Sequence, residues 1–129
     1  IRPDERERRL QRQVKAMGMY DLDFHPSAVA DFLDVVRRAK QLAGKVLVMI
    51  SPRNPYLTRS PAARARLAEL LKAIRVEATV LDLSEKHPFG RDDFFDMAHL
   101  LPDCGPRLSE IVAGGVLRAL TSGATETSR

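Results

Sequence analysis

Near its C-terminal end the chain reads Phe94-Phe95-Asp96-Met97-Ala98-His99-Leu100-Leu101-Pro102-Asp103-Cys104-Gly105. An acid three residues before a histidine is a pair suited to proton transfer. In an acyl-transfer triad, histidine takes the proton of a serine hydroxyl while a carboxylate holds the imidazole in one tautomer and stabilises its cation. At a spacing of three, Asp96 and His99 fall on adjacent faces of one turn. The carboxylate then reaches the near ring nitrogen and leaves the far one free for a nucleophile. The plainer alternative is a surface aspartate capping a turn beside an exposed histidine.

The remaining reactive side chains carry less. His25 precedes a proline and reads as a helix-approach residue, and His87 reads as part of a loop. Three separated histidines and one cysteine have no metal-ligand spacing, so neither metal nor cofactor is expected. Cys104, the single cysteine, cannot form an internal disulfide and reads as a small packed residue rather than a thiolate. Asp92 and Asp93 read as solvated, with one of them available to orient the motif loop. Gly114-Gly115 read as a close-packing site inside a helix, not a phosphate loop.

The elements that must position Asp96 and His99 follow from periodicity. Pro3 to about Met17 is helical, with Leu10, Val14 and Met17 on one narrow stripe, and Gly18 ends it. Pro26-Ser27 opens a second helix over 27–43, Ser27 capping its free N–H groups, with Val29, Phe32, Leu33 and Val36 on one face and Gly44 as its stop. Val46 to Ile50 is apolar without alternation, the mark of a strand buried on both faces. Ser60-Pro61 caps a third helix over 61–74, with Leu67, Leu70, Leu71 and Ile74 at helical spacing. A second strand lies within 76–83, near 78–83, and a last helix covers 106–120. The remainder, 122–129, reads as a disordered tail, and 1–25 as an N-terminal helix and loop, the helix packing on the edge of something larger.

Helix–strand–helix–strand–helix is α/β, and two strands joined through a helix must be parallel. Two parallel strands are too few for a stable sheet. The expected architecture is therefore part of a three-layer α/β/α, flavodoxin-like parallel-sheet domain. Val46, Val48, Ile50, Leu70, Val80, Ile111 and Leu117 are the expected core. The chain opens on Ile1 rather than Met, which suggests that an upstream piece was either removed or left out.

Asp96-Met97-Ala98-His99, followed by Leu100, Pro102, Gly105 and an apolar helix, resembles the last block of the SGNH (GDSL-type) hydrolases. Lys45 to Pro55 is similar to that family's penultimate core strand and Pro-rich loop, and Thr79 to Ser84 to its final strand. The resemblance covers about residues 26–120 in order. It implies a serine esterase or O-acyltransferase acting on a small-molecule or carbohydrate acyl ester, with catalytic residues Asp96 and His99. The family's Gly-Asp-Ser block and the Gly and Asn of its oxyanion hole are missing, and Asn54 lies in the wrong loop to replace that Asn. The resemblance is thus to a C-terminal half. The outer edge of strand 46–50 is expected to pair with a missing N-terminal half, a second chain or a swapped dimer mate. The alternative is a non-catalytic α/β binding or assembly module that has lost the chemistry.

Composition narrows the classes further. The chain is 44% apolar and 29% charged, and no apolar run approaches the roughly 20 residues that a membrane helix needs. The formal charge of +4 is concentrated in a first helix where Arg2, Arg6, Arg8, Arg9, Arg12 and Lys15 alternate with acids. That mixture reads as a solvated helix face, and no nucleic-acid partner is expected.

Overall fold

The structure is a computed structural model that describes the backbone of residues 2–18 and 25–127, and side chains through 121 apart from Val14 and 17–24. Among the described residues it is mixed α/β, with four helices, two parallel strands and two short 3-10 turns. Helix α1 spans Pro3–Gly18, α2 Pro26–Ala43, β1 Leu47–Ile50, α3 Pro61–Arg75, β2 Thr79–Asp82 and α4 Gly105–Thr127. No described helix is long and apolar enough to cross a membrane.

Local chemistry explains most boundaries. Ser60 caps α3, its hydroxyl accepting the Ala63 N–H at 3.1 Å, with Pro61 in the first turn. Gly44 ends α2 at φ +77°, a left-handed conformation that side chains rarely adopt, and its N–H closes on the Lys40 carbonyl. The start of α2 differs from expectation. His25, not Ser27, is the N-cap, and its Nδ1 accepts the Ser27 N–H at 3.3 Å. Helix α4 continues past residue 120 to Thr127, into the segment read from composition as a tail.

The strands pair in parallel, with Leu47 opposite Thr79, Val48 opposite Val80, Met49 opposite Leu81 and Ile50 opposite Asp82. Side chains alternate across the pleat. Val48, Ile50 and Val80 meet the buried Leu67, Leu71 and Ile74 of α3, with Leu33 of α2 packed on the same cluster. Leu47 and Leu81 face α4. The sheet is therefore clothed by α3 on one face and α4 on the other.

The expected core is only half buried at Val46, Val48, Ile50, Leu70, Val80 and Ile111, and Leu117 is 63% exposed. Two strands of four residues give the helices little sheet to cover them. On α4 the buried Gly115 and Ala119 face inward, whereas Leu117 lies about 200° around the helix from Gly115 and is left uncovered, as is Leu120.

The two glycines of α4 divide cleanly. A Cβ on Gly115 would lie 2.7 Å from Leu81 Cδ2, so the bare backbone allows close approach to β2, whereas Gly114 has open space. Only Gly115 is the packing residue. Gly114→Ala is expected to add about 0.5–1 kcal/mol through helix propensity, and Gly115→Ala to add nothing or lose stability. Thermal melts of the two variants measure this directly.

Candidate active site

Asp96 and His99 lie in the connection between β2 and α4, at the carboxyl side of the strands, where open α/β sheets build their sites. The loop that carries them is closed at its base. Phe94 and Leu100 form an antiparallel bridge, the Phe95 N–H donates to the His99 carbonyl at 2.7 Å, and the Leu101 N–H donates to the Asp93 carbonyl at 2.8 Å. Phe94 is fully buried and Met97 nearly so, which fixes the inner side of the loop.

The pair meets as its spacing suggests, by a different local structure. No helical turn forms. Asp96 instead folds an Asx turn, with Oδ1 accepting the N–H groups of Ala98 and His99, both at 2.9 Å. His99 Nδ1 lies 2.8 Å from Asp96 Oδ2 and 2.9 Å from Oδ1. The imidazole is 78% exposed while the carboxylate is only 14% exposed. With Nδ1–H donated to the carboxylate, Nε2 is the outward nitrogen, and no group among the described residues bonds to it. This is the tautomer a general base requires.

Two opposed effects act on the Asp96 carboxyl. Partial burial raises its pKa, but the Ala98 N–H, the His99 ring and N–H, and the His99 charge together outweigh this and leave it lowered. A lowered folded-state pKa contributes stability above the ordinary carboxylate value of about 3.9, and that stability is lost as pH falls through the folded value. The stability difference between the parent chain and Asp96→Asn is therefore expected to be largest near neutral pH. It should shrink below about pH 4, as melting curves taken across that range would show.

The supporting residues were mostly invisible to pattern reading. Asn54 is fully buried, and its Nδ2 donates to the Asp96 carbonyl at 3.2 Å. His87 donates from Nε2 to the Arg53 carbonyl at 2.8 Å and accepts the Phe89 N–H on Nδ1, which ties the loop after β2 to the loop after β1. Asp93 Oδ2 caps the short 3-10 turn just before the motif loop, accepting the Gly90 N–H at 2.8 Å.

Helix α1 also engages the motif loop. Arg6 donates to the Asp92 and Phe94 carbonyls, Glu7 pairs with Arg91, and the Arg9 guanidinium sits 4.8 Å from the Phe95 ring centroid. That face is not simply solvated as its mixed charge suggested.

Two other candidate nucleophiles are held elsewhere. The Cys104 thiol is pushed up in pKa, by desolvation first and by Asp93 next, which disfavours a reactive thiolate. Ser84 is buried, donating to Asp82 Oδ1 at 2.6 Å and accepting from Arg59. Among the described residues no serine hydroxyl bonds to His99, and no cluster of side chains has metal-ligand character. Comparison with protein-family models, with curated proteins and with solved structures returned no match.

Proposed function

We propose that this chain is the Asp/His-bearing portion of an SGNH-type serine esterase or O-acyltransferase, in which His99 is the general base and acid and Asp96 its orienting carboxylate. One observation carries the reading: an exposed imidazole whose Nδ1 is held by a buried-side carboxylate and whose Nε2 is available. The nucleophilic serine and most of the oxyanion hole come from a segment outside these 129 residues, within a three-layer parallel-sheet domain. His99 accepts the serine proton as the hydroxyl attacks the ester carbonyl, then returns it to the departing alkoxide. The substrate is a small-molecule or carbohydrate acyl ester.

A serine-reactive fluorophosphonate probe tests the proposal on the complete protein. Labelling and acetyl-ester hydrolysis are expected, both lost in His99→Ala. An unchanged rate in that variant rejects it, and a complete protein inert to both assays leaves the assembly-module alternative in its place.

The sheet supports the same reading. Among the described residues only β2 pairs with β1, so the other edge of an apolar strand presents unpaired N–H and C=O groups. Those groups, with Met49 of β1 itself exposed, favour completion by a further segment. The isolated chain is expected to self-associate in size-exclusion chromatography with light scattering. A stable, well-folded monomer would argue against a shared sheet.

A further inference from the structure

The motif loop and the Pro-rich loop after β1 are joined at one residue, Asn54. Its side chain has no solvent exposure, yet it is neutral and polar, and such a group is retained only where its hydrogen bonds are made. Nδ2 donates to the Asp96 carbonyl at 3.2 Å, and Oδ1 accepts the Tyr56 N–H at 3.0 Å. The Asn54 main-chain N–H donates to the Met97 carbonyl at 2.9 Å, and its carbonyl accepts the Leu57 N–H at 2.9 Å.

The two carbonyls it holds belong to consecutive peptide units. A peptide unit is rigid and planar, so fixing its C=O fixes the direction of the N–H on its far side. The Met97 carbonyl shares its plane with the Ala98 N–H, which donates to Asp96 Oδ1. The Asp96 carbonyl sets the preceding plane, from which the Asp96 side chain departs. Both peptide planes that shape the Asx turn are thus pinned from outside the loop by a single residue.

We infer that Asn54 is a positioning residue for the Asp96–His99 pair: by clamping the Asp96 and Met97 carbonyls it holds the turn that aims the carboxylate at His99. It makes no bond to the His99 ring, so its reach to the pair runs through Asp96 and Met97. Its catalytic weight rests on the acyl-transfer reading, whereas the clamp itself rests on geometry alone.

Two variants separate the clamp from a general packing role. Asn54→Ala removes both side-chain bonds. Asn54→Ser keeps an oxygen able to accept the Tyr56 N–H in a local turn, but is too short to reach the Asp96 carbonyl, so it cuts the side-chain half of the clamp while the main-chain bond to Met97 stays. The readout is titration of the Asp96 carboxyl by carbon-detected NMR on the 129-residue chain. In the parent, Asp96 is expected to titrate below the ordinary carboxylate value of about 3.9, and in either folded variant to move up toward it. A folded Asn54→Ser chain in which Asp96 titrates as in the parent overturns the inference.

In the complete protein, kcat is expected to fall about 10- to 100-fold with KM little changed, the signature of a misplaced catalytic group. An unchanged kcat in a variant whose Asp96 titration has moved would show that the clamp does not serve catalysis. A parent with no acyl-transfer activity would reject the proposed reaction, while the NMR result would still decide the clamp.

Discussion

Esterase turnover of the complete protein is expected to fall by about 10^6-fold in His99→Ala and by about 10^4-fold in Asp96→Asn. The order matters more than either value. In the proposed triad His99 moves the proton, so its removal would leave the serine un-ionised and the leaving group unprotonated, while Asp96 would only hold the ring and stabilise its cation. In Asp96→Asn the Asx turn survives, because the amide oxygen still accepts the Ala98 and His99 N–H groups. What is lost is the demand for a proton on Nδ1, so Nε2 is no longer reliably the basic nitrogen. Steady-state rates on an acetyl ester would check both values. A larger loss in Asp96→Asn than in His99→Ala would contradict the assigned roles.

Phe94→Ala is expected to cost about 3–5 kcal/mol, measured by denaturant unfolding of the 129-residue chain. The phenyl ring is completely buried, with its centroid 5.7 Å from the His87 ring, and no neighbour can fill so large a void without backbone movement. Domains of this size are stable by only about 5–15 kcal/mol, so this single truncation approaches the limit. Phe94 also forms the bridge to Leu100 and offers its carbonyl to Arg6. Unfolding and loss of the Asp96–His99 geometry are therefore expected together. A loss below about 1 kcal/mol would mean that the loop is supported elsewhere.

The sequence revealed these elements to different degrees, for physical reasons. Gly44 and Ser60 were readable because a left-handed C-cap and a hydroxyl N-cap are local requirements that residue type nearly determines. The parallel pairing followed from two apolar strands separated by a helix. Asp96 and His99 were legible as a pair because their contact spans three residues.

Asn54 was not, since its bonds reach 42 residues along the chain and nothing in a Pro-rich loop marks which polar side chain turns inward. Arg6 and Arg9 were hidden similarly, their partners lying more than 80 residues away in the case of Arg6. Leu117 misled because α4 carries apolar residues around more than one face, and composition alone does not say which face meets the sheet.

The long reach of the Asn54 bonds has a consequence in time. The Asx turn at Asp96 involves neighbours only, so it can flicker into place in an unfolded chain within the fast regime of local closure. It cannot persist there. The segment from 52 to 57 comes alongside only after β1 and β2 have paired, and parallel pairing waits on closure of the intervening helix and both its connections. The proton-transfer geometry should accordingly be among the last features to mature during folding. A half-folded chain would contain every residue of the pair and still lack a base.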